Sequence, residues 1–193
     1  VFWRFYEDIQ RARARLSEAH ARSESLLLNI LPQVIASRLK TGRGQLADDH
    51  ESVTVLFADI VGFTELSSRL RASELVALLN TYFSAFDQLV DGHGLEKIKT
   101  IGDAYMVAGG VPVIVDSHVD HTLQLALDMS RTVADLNVEL GQTLELRIGI
   151  HIGPVTAGVI GERKFIYDLW GDTVNIASRM ESAGVAGRIQ VTP

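Results

Sequence analysis

The sequence predicts an α+β domain, a sheet of the split-βαβ kind flanked by helices and preceded by a single long helix. Three observations predict it. Apolar, β-branched runs alternate with segments whose apolar residues recur every three or four positions, in the order β-α-β-β-α-β-β-α-β. The stretch from Phe2 to Ile30 has no Pro or Gly and is dominated by Ala, Arg, Glu, Leu and Ser, which is good helix composition. Finally, 193 residues that are 47% hydrophobic and 22% charged are the composition of one globular domain with room for little else. Disorder, collagen and a complete membrane span are excluded.

Written as heptads, the long helix places Phe2, Ile9, Leu16, Ser23 and Ile30 at a, and Phe5, Ala12, Ala19 and Leu26 at d. Only Ser23 breaks this apolar seam, which predicts a parallel dimeric coiled coil; the alternative is an amphipathic helix packed on its own domain. Pro32 restarts a short helix in LPQVIASRLK that stops at Gly42 and Gly44. The polar stretch QLADDHES reads as a hinge. The predicted division is residues 1–44 as helix and linker and 45–193 as the domain proper.

Within the domain, VTVLFADI is a nearly continuous apolar run, as expected of a strand buried on both faces. ASELVALLNTYFSAFDQLVDGHG is a helix closed by Gly92 and Gly94. LEKIKTIGD and AYMVAGG read as two strands around a turn at Gly102-Asp103. SHVDHTLQLALDMSRTVADLNVEL is a helix, LELRIGIHIG and PVTAGVIG are two strands, and DTVNIASRMESAG is a helix leading to a last strand, RIQVT.

Charge and cysteine narrow the chemistry. The net charge of −6 argues against generic nucleic-acid binding, but it is uneven: residues 1–44 carry eight Lys/Arg and four Asp/Glu, and 45–193 carry ten and twenty. Cysteine is absent, so no disulfide framework or thiolate metal site exists, and a metal must be held by oxygen or histidine. The chain opens on Val1 without an initiator methionine, which points to a fragment whose upstream part could include a membrane anchor; the aromatic VFWRFY edge is too short to span a bilayer.

Asp59 sits where a buried strand meets a Gly-containing turn, a place where an ionised carboxylate is costly unless something positive compensates it. Asp103 sits in a second such turn. If their strands are neighbours, the two carboxylates converge, and Mg²⁺ is commonly held by one or two carboxylates with waters and phosphate oxygens. Taken singly, each Asp reads more economically as a turn residue.

Four motifs in sequence change that balance. VLFADIVGFTELS, EKIKTIGDAYMVAGGVP, RIGIHIGPVTAGVIG and YDLWGDTVNIASRMES resemble, in order and spacing, the catalytic domain of class III nucleotidyl cyclases over roughly residues 50–193. LLLNILPQVIASRLK is similar to the linker that often precedes this domain. The GxxxxGK[ST] phosphate loop and the HExxH zinc motif are absent.

The resemblance implies a ferredoxin-like cyclase sheet and an adenylyl cyclase, in which Asp59, Asp103 and the backbone carbonyl of Ile60 hold two Mg²⁺ or Mn²⁺ ions. These would serve attack of the ATP 3′-hydroxyl on the α-phosphorus, releasing pyrophosphate. It implies that Gly62, Phe63 and Thr64, opening a helix, meet the β- and γ-phosphates. It assigns base recognition to Lys99 and Asp168. Adenine offers an acceptor at N1 and a donor at its 6-amino group, complementary to a Lys donor and an Asp acceptor, whereas guanine presents the reverse.

Asn175 and Arg179, four apart on one helix, share a face; the resemblance gives Asn175 the ribose and Arg179 the transition-state charge. Trp170 and His151 read as structural, the former as an aromatic packed under a turn. The family's site lies at a dimer interface, so a homodimer carrying both sets would have two, and the N-terminal signalling helix would be a lever on it. Cyclase domains also continue past IQVTP to a lysine that contacts the triphosphate, so weak or no turnover is expected of the chain as given. A basic juxtamembrane helix fits the positive-inside rule, with the acidic body in the cytoplasm and the parent anchored in the cell membrane. A catalytically silent nucleotide-binding module and a guanylyl cyclase are the competing readings.

Overall fold

The architecture follows from one strand, β1 (Ala47–Ile60), whose second half is buried on both sides. In the computed structural model, residues 2–28, 30–42, 46–161 and 164–192 are described. They fall into two compact units, residues 1–46 with 159–167, and residues 47–158 with 168–193.

The first unit contains α1 (Phe2–Leu28) and α2 (Gln33–Lys40). Lys40 Nζ meets Glu24 Oε1 at 2.5 Å across the turn between them. The heptad seam is described from Leu16 onward. There Leu16, Leu26 and Ile30 lie open to solvent, while the side chains of Phe2, Phe5, Ile9 and Ala12 lie outside the described residues. Among the described residues no helix is long and apolar enough to cross a membrane.

In the second unit β1 is followed by α3 (Phe63–Arg69), α4 (Ala72–Gly92), β2 (Glu96–Ile101), β3 (Ala104–Gly109) and α5 (His118–Leu140). The chain continues through β4 (Leu146–Ile160), β5 (Ile166–Trp170), α6 (Asp172–Ser182) and β6 (Ile189–Val191). The strand order is β2-β3-β1-β4-β5, with β6 pairing β4 in parallel and β1 antiparallel to both its neighbours. This is the helix-flanked α+β sheet that the element order predicts.

Strand parity sorts the two faces. Leu56, Ala58 and Ile60 of β1, with Ile148 and Ile150 of β4, pack against Tyr82, Phe86 and Val90 of α4 and Leu125, Met129 and Val133 of α5. The intervening residues Phe57, Asp59, Arg147 and Gly149 lie on the opposite face, paired across the ladder as Phe57↔Gly149 and Asp59↔Arg147. There α6 comes close: a Cβ built on Gly149 would stand 2.0 Å from the Glu181 backbone nitrogen, so only glycine lets helix and strand meet. The α5 end is stapled by Asn137, which accepts from Tyr82 Oη at 2.9 Å and bonds both Leu144 N and Leu144 O.

Three expectations need correction. QLADDHES is not a hinge, since β1 already begins at Ala47; the polar alternation there is an edge-like strand end. LELRIGIHIG and PVTAGVIG form one strand, β4. Pro154 does not break it, because β1 shifts register between His50 and Val53, opposite that proline, and a bulge tolerates a missing N–H. Residues 166–170 form β5, a strand that the sequence reading did not separate from its motif.

Candidate active site

The turn between β2 and β3 sets the first half of the site. Gly102 adopts φ 65°, a left-handed conformation natural to glycine, and Asp103 follows it. Because Ala58 pairs with Tyr105, this turn lies beside the end of β1, and Asp103 stands near enough for its charge to act on Asp59. Burial, then the negative charges of Asp103 and Glu181, push the Asp59 carboxyl up to about 6, opposed by Arg147. Neighbouring carboxylates that disfavour each other's charge are what a divalent cation would neutralise.

Among the described residues no group of three or more His, Asp or Glu gathers as a preformed metal cage. The donor set nonetheless fits Mg²⁺ or Mn²⁺, which take a pair of carboxylates and complete their shell with water and phosphate oxygens. Ile60, proposed to lend its carbonyl, has its side chain in the core at 3% exposure.

Arg147 is the residue that sequence reasoning missed. Its Nη2 lies 3.0 Å from Asp59 Oδ2 and its Nε 2.7 Å from Glu181 Oε1. Glu181, on α6, is buried, and the two carboxylates with the hydrogen bonds they accept hold the guanidinium pKa up. The available signal was a positive charge inside the strand run LELRIGI, at a position whose ladder partner is Asp59.

Lys99 and Asp168 are joined in an ion pair. Lys99 stands on β2 and Asp168 on β5, the two ends of the strand path. Four strand spacings in a flat sheet come to roughly 19 Å, so the sheet must curl, concave on this face, for the pair to form. The other Asp168 oxygen, Oδ1, accepts from Leu169 N at 2.9 Å.

On α6, Thr173, Ala177 and Glu181 are buried, while Asn175 and Arg179 are exposed. The helix is seated by Thr173 Oγ1 donating to Pro154 O at 2.6 Å. Asn175 and Arg179 therefore share a face turned away from the chain's own sheet. Gly62, at φ 73°, is the N-cap of the seven-residue α3, with Thr64 exposed and Phe63 packed against the core cluster.

The two residues read as structural both line one cavity. His151 Nδ1 lies 2.7 Å from Thr192 Oγ1. Trp170 is 37% exposed rather than packed under a turn, and the cavity, of about 450 Å³, is also lined by His50, Pro154 and Thr173. That cavity includes none of the predicted site residues.

Comparison with known proteins shows the family of this fold. Residues 46–193 match the family model described as the adenylate and guanylate cyclase catalytic domain. An adenylate cyclase of Mycobacterium tuberculosis is 50% identical over 190 residues, 98% of this chain and 43% of that protein. The rat guanylate cyclase soluble subunit beta-2 is 41% identical over 188 residues, 97% of this chain and 28% of that one. The chain thus spans less than half the length of these relatives. Among solved structures, the catalytic core of a rhodopsin-guanylyl cyclase with converted specificity, in complex with ATPalphaS, superimposes with a TM-score of 0.72 at 43% identity, covering 76% of this chain and 79% of that one.

Proposed function

The chain belongs to the adenylate and guanylate cyclase catalytic-domain family, the class III nucleotidyl cyclases, and on that premise we propose that it is the catalytic region of an adenylyl cyclase. The reaction is ATP to 3′,5′-cyclic AMP and pyrophosphate, run by a homodimer. One observation carries the choice of base: the Lys99–Asp168 pair supplies one donor and one acceptor side by side. Lys99 donates to adenine N1 and Asp168 accepts from the 6-amino group. Guanine would set donor against donor and acceptor against acceptor, leaving polar groups unpaired at a cost that hydrogen-bonding sites use to reject analogues. Relatives named as guanylate cyclases keep a GTP reading in the test.

The remaining roles are part of the same proposal. Asp59, Asp103 and the Ile60 carbonyl would hold two Mg²⁺ or Mn²⁺ ions, which when bound lower the pKa of the attacking hydroxyl and neutralise the phosphates. Arg147, a cation already against Asp59, sits where an anionic triphosphate would approach. The N–H groups of Gly62, Phe63 and Thr64 would donate to phosphate oxygens. Asn175 fixes the ribose, and the Arg179 guanidinium stabilises charge as the α-phosphorus is displaced.

The helix geometry supports a second copy. Glu181 faces the chain's own Asp59 through Arg147, and Arg179 lies on the other side of α6. This favours a site shared between two chains, of which a homodimer would have two. The seam of α1, with Leu16, Leu26 and Ile30 uncovered, suits pairing as a coiled coil that sets the dimer. The basic helix suits a position next to an upstream membrane anchor, with the acidic domain cytoplasmic.

The test measures cyclic AMP and cyclic GMP formed by the full-length protein from MnATP and MnGTP, with Asp59→Ala as control. Cyclic AMP lost in the control supports the reading; dominant cyclic GMP makes it a guanylyl cyclase. Equal inactivity of wild type and control leaves the silent nucleotide-binding module.

A further inference from the structure

We propose that Glu181 is a positioning residue that, through Arg147, ties the carboxylate serving one active site to the helix serving the other, so that the two sites of a dimer are coupled. This rests on the reading above, in which each chain gives Asp59 to one site and Asn175 with Arg179 to the other.

The physical link is continuous. Asp59 Oδ2 meets Arg147 Nη2 at 3.0 Å and Arg147 Nε meets Glu181 Oε1 at 2.7 Å. Arg147 uses different nitrogens for the two carboxylates, so one positive charge is divided between β1 and α6. Glu181 is 7% exposed, and separating a buried carboxylate from its cation leaves an uncompensated charge, which is costly. The helix has no slack at this point, since the Gly149 approach leaves no room for even a methyl group. α6 is an 11-residue rod stiffened by its own hydrogen bonds, so a displacement at Glu181 is carried to Arg179 and Asn175.

The division of charge makes the link responsive. A divalent cation held by Asp59 and Asp103 satisfies the Asp59 carboxylate and repels the guanidinium beside it. Arg147 then shifts its share to Glu181, and α6 is seated more firmly. By linkage, whatever seats α6 on the far side draws Arg147 from Asp59 and favours the cation in equal measure. A merely structural Glu181 would stabilise α6 equally with and without the cation.

The experiment reads α6 directly. Hydrogen exchange of residues 172–182 in the full-length protein is followed with and without Mg²⁺, and the rate of cyclic nucleotide formation is followed against MgATP. In wild type, Mg²⁺ should slow α6 exchange by about tenfold, the scale of one charge-assisted hydrogen bond, and the Hill coefficient should exceed one. Glu181→Gln should abolish the Mg²⁺ response and bring the Hill coefficient to one, while Glu181→Asp restores part of both. Asp59→Asn should remove the exchange response by removing the cation.

A Glu181→Gln protein with the wild-type Mg²⁺ response overturns the proposal, as does a wild-type α6 indifferent to Mg²⁺. If Glu181→Gln does not fold, Arg147→Lys decides, since a lysine cannot hold both carboxylates through separate nitrogens. Loss of the response there supports the link and retention overturns it. Absence of any cyclic nucleotide from wild type defeats the functional reading, while the exchange experiment still decides the link.

Discussion

Lys97 and Lys99 are two residues apart on one strand and face opposite sides of the sheet. Register changes between them, Lys97 pairing with Val107 and Lys99 with Met106, so Ile98 is an extra residue in β2. A bulge re-aims the side chains that follow it. Lys97 turns to the helical side, 2.5 Å from Asp87 Oδ1 and 5.0 Å from the Tyr105 ring centre. Lys99 turns to the concave face and meets Asp168.

The base-reading pair should be exchangeable by inverting its polarity. Lys99→Glu with Asp168→Ser presents an acceptor to guanine N1 and a donor to O6. It is expected to lower kcat/KM for ATP by about 10²-fold or more and to raise that for GTP, read from paired rates on the two nucleotides. Unchanged preference would remove these residues from base choice.

Asp87 accepts from both Lys97 and Tyr105, and Tyr105 is fully buried between the rings of Phe83 and Phe86. Asp87→Ala leaves a buried phenol without its acceptor. It should cost on the order of 1–3 kcal/mol, measured by denaturant unfolding, and Asp87→Asn, which can still accept, should cost less.

Gly149→Ala should damage stability and activity together. The new methyl group meets the Glu181 backbone, not a side chain that can swing away, so α6 must move. Overpacking of this kind costs roughly 1–3 kcal/mol or more. Thermal unfolding reads the first effect and cyclase rate the second; a silent substitution would refute the close approach.

Stability should fall as pH rises across the weakly acidic range. Burial, then the charge of Asp91, push Glu96 up to about 7 from an unfolded value of 4.5. A carboxyl with a raised folded pKa binds its proton more tightly when folded, so its contribution is complete below about 4.5 and is lost as pH climbs through about 7. Glu96→Gln should flatten the unfolding free energy between those limits and be the more stable protein at pH 8.

Shared sites should complement. Asp59→Ala and Asn175→Ala homodimers are each expected to be inactive, yet mixed and re-equilibrated they should recover about a quarter of wild-type activity. Half of the dimers are then mixed, and each has one intact site of two. Recovery near zero would place both residues in one chain's site.

The helices and the faces of the core were legible because each rests on local periodicity, as in the three- and four-residue spacing of α4 and α5. Asp59 and Asp103 were legible as turn carboxylates, and their meeting followed once β1 and β3 were neighbours. Arg147 was hidden because its importance lies in what stands across the ladder and on α6, contacts 88 and 34 residues away in sequence. The unity of β4 was hidden for a related reason: Pro154 reads locally as a break, and the bulge that accommodates it belongs to another strand. The opposite aims of Lys97 and Lys99 were equally invisible, since period-two alternation would put them together.

A sheet whose two edges are tied by Lys99 and Asp168 behaves as a strung bow, with β1 and β4 as its limb. The spacing of Lys99 and Asp168 is then a property of how far the limb bends. Substitutions deep in the limb, such as Ile148→Val or Leu56→Met, touch neither the base nor the ion pair but alter the bend. On the proposed reading, discrimination between nucleotides would thereby be spread through the core rather than confined to Lys99 and Asp168.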